Sequence, residues 1–236
     1  MDNLSAGARR ALLIGVSRGL GLAMATELNK KGWHVVGTVR ERRGTGLHEL
    51  AAPRGGQVSI ELLDICEPEQ IKALHDRLTG GSFDMLFVNA GKANSNQADT
   101  IAEVSTEEFV RVMLTNALGV MRAVEALQDL VRSEGLIGVM SSGQGSIANN
   151  TKGGHDVYRG SKAALNQYMR SYAARHAGDQ RAMVLMAPGW IRTDLGGPDA
   201  PFSMDETVPQ LVDTLLAQQG KPGLRYLERF GNTVPW

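Results

Sequence analysis

Short, wholly apolar runs alternate along this chain with longer stretches in which apolar residues recur every three or four positions. The first run, Ala11-Leu12-Leu13-Ile14, has no polar alternation, as expected of a strand buried on both faces of a parallel sheet. It stops at Gly15, after which Leu22, Ala23, Ala25 and Leu28 repeat at helical spacing up to Gly32. Residues 33–39 predict a second strand and residues 57–63 a third, with Ile71, Leu74 and Leu78 striping a helix over residues 67–78. Residues 85–88 predict a fourth strand. Ser105, with Glu108 three further on, reads as a capping box. It opens a long amphipathic helix through Phe109, Val112, Met113, Asn116, Val120, Val124, Leu127 and Leu130, taken to run on to residue 132. Residues 136–140 predict the fifth strand and residues 158–176 a helix. Residues 183–186 predict the sixth strand, residues 206–219 a helix with Pro209 in its first turns, and residues 225–227 a short last strand.

Strands alternating with helices of this length mean βαβ units, hence an α/β fold: a doubly wound, mostly parallel, seven-stranded sheet with helices on both faces. Right-handed crossovers leave little freedom in its topology. No linker, repeat or low-complexity segment interrupts residues 1–236, which are expected to form a single domain. The composition, 42% apolar and 21% charged, is that of an ordinary globular protein. Lys and Arg total 25 and Asp and Glu 25, with no basic block, so nucleic-acid binding has no electrostatic support. A single cysteine, Cys66, excludes an internal disulfide and fits a reducing compartment. No apolar run reaches membrane-spanning length, and residues 1–10 lack the apolar core of an export signal, so a cytoplasmic protein is expected. The five histidines show no metal-ligand spacing, and no metal is expected.

The residues with chemistry fall where strands end: Gly15, Arg40, Asp64, Asn89, Ser142 and Pro188. Ligands of open α/β sheets bind outside those ends. The turn Gly15-Val16-Ser17-Arg18-Gly19-Leu20-Gly21 lies between a strand and a helix, where glycines let the backbone approach a pyrophosphate seated on the helix N-terminus. Its spacing is G-x-x-x-G-x-G rather than the usual G-x-G-x-x-G. At the tip of the second strand, where NAD-binding folds carry a carboxylate, stands Arg40, followed by Glu41, Arg42 and Arg43. A guanidinium there suits a 2′-phosphate, and Arg18 is placed to reach the same group, which selects NADPH/NADP+ over NADH. Taken alone, residues 40–43 read equally well as a solvated loop. Asp64 suits an adenine contact, a helix N-cap, or both. Asn116 is a polar residue on an apolar helical face, ordinarily a buried amide satisfied by its neighbours. Tyr158 and Lys162 share one face at i and i+4. A phenol with a pKa of about 10 is a poor acid–base group at neutral pH, and a nearby ammonium favours its ionised form. A shift of about three units needs roughly 4 kcal/mol, at 1.36 kcal/mol per unit, which a desolvated cleft can supply and an open surface cannot. By itself the pair reads as helix surface.

In order along the chain, Gly15-x-x-x-Gly19-x-Gly21, Asp64, Asn89-Ala90-Gly91, Asn116, Ser142, Tyr158-x-x-x-Lys162 and Pro188-Gly189 followed by Thr193 resemble the short-chain dehydrogenase/reductase family in its single-domain Rossmann form. Residues 141–147, 158–166 and 190–197, with the closing Pro235-Trp236, resemble its branch of sniffer-like carbonyl reductases and bacterial cell-signalling factors. The resemblance implies hydride transfer between a nicotinamide and a carbonyl or alcohol, with Asn116, Ser142, Tyr158 and Lys162 catalytic. In it Tyr158 is the general acid, its pKa lowered by Lys162, which also holds the nicotinamide ribose. Ser142 binds the carbonyl oxygen, and Asn116 holds a water that relays protons to Lys162. The implied cofactor contacts are Gly15, Ser17, Arg18, Gly19, Leu20, Gly21, Arg40, Asp64, Ile65, Asn89, Ala90, Gly91, Tyr158, Lys162, Pro188, Gly189, Ile191 and Thr193. Three departures stand out: Ile14 where the family has Thr, Val88 where it has Asn, and Ser142 lying 16 positions before Tyr158. Loss of the Thr hydroxyl predicts that apolar packing replaces a polar tie between the first strand and the turn after the fourth. The longer spacing predicts a larger loop beside the substrate.

His155, Asp156, Trp190 and residues 196–204 are expected to line the pocket, His155 either as a titratable wall or as an exposed loop residue. Apolar positions beyond one stripe on residues 107–132 and 157–176 suggest a homodimer or homotetramer. An NADP(H)-binding regulatory or signalling protein with vestigial catalysis is the competing reading. A longer sugar-nucleotide epimerase is not expected, because too little of this sequence follows Thr193 for a substrate domain.

Overall fold

The apolar runs become strands β1 (Arg10–Ile14), β2 (His34–Val39), β3 (Val58–Leu62), β4 (Phe83–Val88), β5 (Val131–Met140), β6 (Ala182–Ala187) and β7 (Gly223–Glu228). The structure, a computed structural model, describes residues 7–52 and 56–236. One seven-stranded sheet runs β3-β2-β1-β4-β5-β6-β7, and each neighbouring pair is parallel. Successive side chains of a strand point to opposite faces, so an all-apolar strand feeds two cores at once. Leu12, Ile14, Leu86, Val88, Ile137 and Val139 pack into one layer with helices α3 (Pro68–Leu78), α5 (Val120–Leu127) and α6 (Asp156–Arg175). Ala11, Leu13, Met85, Phe87, Val184 and Met186 pack into the other, under α1 (Gly19–Lys30) and α7 (Met204–Leu216). From β1 the chain winds outward through β2 to β3, then crosses back to β4 and winds the other way. The crevice at the β1 and β4 tips is the switch point where such sheets bind ligands.

Several element boundaries differ from the predicted ones. A short helix α2 (Gly46–Ala51) was not predicted; six residues with only Leu47 buried leave too little period to read. The long predicted helix is α4 (Thr106–Met113), a π turn (Leu114–Gly119), α5 and a 3-10 turn (Gln128–Leu130). It ends before residue 132, because Val131 already pairs with Phe83 in the sheet. Ser105 does cap α4, accepting from the Glu108 N–H at 3.2 Å, but the box is half made. The Glu108 carboxylate instead accepts from the Ser95 N–H and hydroxyl, at 2.6 and 2.7 Å. The complete box lies at Ser203 and Glu206, which start α7 two residues earlier than predicted. Asp64 caps no helix: its Oδ1 accepts from the Cys66 N–H at 2.9 Å, and α3 begins later, at Pro68.

Candidate active site

At the tip of β1 the backbone of the glycine turn lies against the tip of β4. A Cβ on Gly15, whose φ is +82°, would fall 2.8 Å from the Cβ of Ala90, and one on Gly21 would fall 2.4 Å from the Gly15 carbonyl. Only glycine fits either position. The tie expected to be apolar, given Ile14, is polar after all. The Asn89 N–H donates to the Ile14 carbonyl at 2.9 Å, Asn89 Nδ2 to the Gly15 carbonyl at 3.0 Å, and the Gly15 N–H to the Thr38 hydroxyl at 3.0 Å. Asn89 thus makes the tie between β1 and the turn after β4, while Thr38, buried in β2, holds the Gly15 N–H from the opposite side.

Helix α1 starts at Gly19 with no side-chain cap and no acidic residue in its first turn. Its first N–H groups and positive dipole end are therefore left for an anion. Together with the close backbone packing at Gly15 and Gly21, this fits a dinucleotide diphosphate. Ser17 and Leu20 are half-buried beside it. Arg40 is exposed at the β2 tip. Arg18 does not join it: its Nη1 pairs with Asp194 at 3.1 Å, both side chains being exposed. Asp64 is half-buried at the β3 end. The Ile65 side chain is in the core, which leaves only its backbone for a ligand.

Helix α6 delivers Tyr158 and Lys162 beneath the β5 tip. The chain enters it through Gly153, Gly154 and His155, all with left-handed φ. His155 is half-buried, not an exposed loop residue, and its Nδ1 is shielded without a partner. Asp156 accepts from the Ile101 N–H at 3.1 Å, tying the loop after β4 to the start of α6. The Ser142 side chain lies near enough to the Tyr158 phenol to pull its pKa down, and it accepts from the Gln144 N–H at 3.1 Å. Lys162 is buried; its Nζ donates to the Met140 carbonyl at 2.8 Å and lies 5.8 Å from the Tyr158 ring centre. Asn116 enters from the π turn, a local widening that recurs at functional sites. Its Nδ2 donates to the Lys92 carbonyl at 2.7 Å and to the Ser161 hydroxyl at 2.9 Å, while its Oδ1 accepts from the Lys92 N–H at 2.8 Å. Gly91 lies between them: a Cβ there would be 3.3 Å from Lys162 Nζ and 3.5 Å from Asn116 Oδ1.

Burial pushes the Tyr158 phenol up to about 12, against a downward pull from Ser142. Burial also pushes the Lys162 ammonium down to about 8. The expected lowering of the phenol by the ammonium is therefore absent from this structure. Both groups lose water, and Lys162 spends a donor on Met140 rather than on the phenol.

Beyond β6, Pro188 is half-buried and Gly189 exposed. Ile191 is buried and bridges to Phe202, and the Thr193 hydroxyl accepts from the Gly196 N–H at 3.1 Å. Trp190, expected in the pocket wall, is 55% exposed with Nε1 donating to the Gly196 carbonyl at 2.7 Å. The segment thus folds back on itself over the strand ends.

Four further residues that the sequence did not single out brace the cleft. The Ser161 hydroxyl donates to the Tyr158 carbonyl at 2.8 Å, Ser141 donates to Asn166 Oδ1 at 2.5 Å, and Asn166 Nδ2 donates to the Gly145 carbonyl at 3.2 Å. The Tyr226 hydroxyl, from β7, donates to the Ser142 carbonyl. Ser161 and Asn166 were findable as polar residues on the buried face of α6; Tyr226 carried no signal. A groove of about 520 Å³ between α3 and α5, lined by Ile71, His75, Arg122 and Glu125 among others, lies away from the strand tips and gathers none of this chemistry. Among the described residues, no cluster of three metal-binding side chains forms, and no helix is long and apolar enough to cross a membrane.

The family described as enoyl-(acyl carrier protein) reductase matches residues 15–211. C-signal of Myxococcus xanthus is 32% identical over 168 residues, which are 70% of this chain and 100% of that protein. A short-chain dehydrogenase/reductase from Burkholderia multivorans, crystallised with bound NADP, is 60% identical with a TM-score of 0.95, covering 97% of this chain and 100% of its own. A carbonyl reductase from Pseudomonas aeruginosa in complex with NADP is 30% identical with a TM-score of 0.90, covering 98% and 100%. Sheet order, glycine turn and whole-chain likeness agree, and the chain belongs to the short-chain dehydrogenase/reductase family of NAD(P)-dependent oxidoreductases.

Proposed function

We propose that this protein is an NADPH-dependent carbonyl reductase in which Ser142, Tyr158, Lys162 and Asn116 carry the reaction. The observation that carries the reading is the meeting of the Ser142 side chain, the Tyr158 phenol and the buried Lys162 at the β5 tip, in a sheet whose switch point also holds the uncapped start of α1. The bound NADP of the Burkholderia and Pseudomonas proteins supports the choice of cofactor, and so does an Arg rather than a carboxylate at residue 40.

A bound reduced nicotinamide supplies the hydride. Tyr158 releases its proton to the carbonyl oxygen as negative charge gathers there. A phenol held near 12 is fully protonated at neutral pH, which is the form that reduction needs. Ser142 Oγ holds the same oxygen, stabilising the developing charge. Lys162 has one donor on the Met140 carbonyl and keeps others for ribose hydroxyls. Both Nδ2 hydrogens of Asn116 are engaged, leaving an Oδ1 lone pair over Gly91 to hold a water near Lys162. Gly15 to Gly21 receive the diphosphate. Asp64 and the Ile65 backbone receive the adenine, and Arg40 the 2′-phosphate. Pro188, Gly189, Ile191 and Thr193 orient the carboxamide. Exposed Val110, Leu118 and Tyr168 on α4, the π turn and α6 support pairing of copies as a homodimer or homotetramer.

The test is NADPH consumption over a panel of quinones, α-diketones, aromatic ketones and aldehydes, run in parallel with NADH. Turnover with at least one carbonyl class and NADPH is expected. The likeness to C-signal favours a second reading, a nucleotide-binding signalling protein. Tight NADPH binding with no turnover over the whole panel would establish that reading instead.

A further inference from the structure

We propose that Lys92 is a second cation of the 2′-phosphate subsite, acting with Arg40, and that this pair rather than Arg18 sets the preference for NADP(H) over NAD(H). The inference rests on the reading that the chain binds NADPH.

Lys92 follows Asn89-Ala90-Gly91 at the tip of β4, and its backbone is clamped on both sides by the Asn116 amide, at 2.8 and 2.7 Å. Its side chain therefore leaves from a fixed point. The next turn of the same wall is held to the β3 tip: the Thr115 hydroxyl donates to the Arg111 carbonyl at 2.9 Å and meets Cys66 Sγ at 3.5 Å, two residues after Asp64. Arg40 leaves the adjoining strand beside that tip, where the Leu63 N–H donates to the Val39 carbonyl at 3.0 Å. Lys92 and Arg40 thus leave strand tips on either side of β1, near enough for the Arg40 charge to act on Lys92, at the mouth assigned above to the adenosine.

The charges at this mouth are unbalanced. Lys92 is half-buried, and among the described residues no carboxylate makes an ion pair with it or with Arg40. Burial lowers its pKa, and the neighbouring Arg111 and Arg40 lower it further. The opposing anion, Glu108, is already taken up by the Ser95 N–H and hydroxyl and by Arg111 at 3.1 Å. Cations gathered in a partly desolvated space repel each other, and an anion between them relieves that repulsion. A phosphomonoester offers near-dianionic charge and several acceptor oxygens, for which a lysine is a point-charge partner and an arginine a forked one. Arg18, by contrast, has a carboxylate partner in Asp194, at 3.1 Å.

The experiment is calorimetric titration of wild type, Lys92→Met, Lys92→Gln and Arg18→Met with NADPH, NADH, 2′,5′-ADP and 5′-AMP. Loss of a charged hydrogen bond should raise the Kd of both Lys92 variants for NADPH and 2′,5′-ADP about tenfold. NADH and 5′-AMP should stay within about twofold, which also reports that the variants are folded, and Arg18→Met should show the smaller discrimination. Equal losses for phosphorylated and unphosphorylated ligands, or no loss, would overturn the role of Lys92. If wild type itself fails to distinguish 2′,5′-ADP from 5′-AMP, the NADPH reading falls first, and the subsite with it.

Discussion

Tyr158 and Lys162 lie in the cleft with burial favouring the uncharged form of each, and that has a readable pH signature. Below pH 8 Lys162 is protonated in both states, and the native state bears the cost of burying its charge. Between about 8 and its ordinary 10.5 the native state gives up the proton first, the unfolded state binds more protons, and stability rises with pH. Tyr158 has the opposite sign: the unfolded phenol ionises first, so stability falls as pH climbs from about 10 towards 12. The Lys162 displacement corresponds to about 3 kcal/mol, less about 1 kcal/mol for orphaning the Met140 carbonyl. Lys162→Met should therefore gain roughly 2 kcal/mol in urea unfolding at pH 7, and the gain should fade by pH 10. A gain equal at both pH values would mean that buried charge is not its origin. Tyr158→Phe should cut turnover by about 10²- to 10⁴-fold while leaving NADPH affinity within about twofold, measured by single turnover and by titration. At this scale the motif residues were legible because each sits at a strand end or on a helical face. Their protonation was not, because water access is a property of the surroundings.

At the scale of elements, the chain spells Ser-x-x-Glu twice, at Ser105 and at Ser203, with different outcomes. Both serines cap, but only Glu206 returns to its own cap, accepting from the Ser203 N–H at 2.9 Å. Glu108 is drawn off by Ser95, thirteen residues upstream in the β4–α4 loop. Ser203→Ala should cost about 1 kcal/mol in urea unfolding, and failure to lose stability would mean that α7 is held by packing alone. The π turn is a second case. The apolar stripe runs through Asn116 without a break, so the sequence reads as one helix, yet the local widening lets the amide reach both Lys92 backbone groups and Ser161. Asn116→Leu strands those partners in a buried site and should destabilise by about 2–4 kcal/mol, seen as a lowered denaturant midpoint.

Across the whole molecule, two core layers on either side of an all-parallel sheet hold the strand tips that carry the chemistry. A ligand that binds only the native state raises stability by mass action, about 2.7 kcal/mol at a hundred times its Kd. NADPH should therefore raise the melting temperature by roughly 5–10 °C at that excess, and NADH by clearly less at the same concentration. Equal shifts would remove the assignment of Arg40. Light scattering should return two or four times the 25.4 kDa chain mass. A monomer would leave the exposed Val110, Leu118 and Tyr168 without the pairing role given to them.

The sequence by itself determined the strand count, the helices apart from α2 and the π turn that divides α4 from α5, the strand tips and the glycine turn, because each depends on neighbours along the chain: a period of two or 3.6, or a backbone that only glycine allows. Only the tertiary structure decided that Asn89 ties the β4 turn to Gly15 despite Ile14, and that Arg18 pairs with Asp194. It alone decided that Tyr226 reaches Ser142 from the far end of the chain, and that burial, opposed by Ser142 and not by Lys162, sets the Tyr158 phenol. Those outcomes depend on distance through space and on the exclusion of water, and no spacing along the chain encodes either.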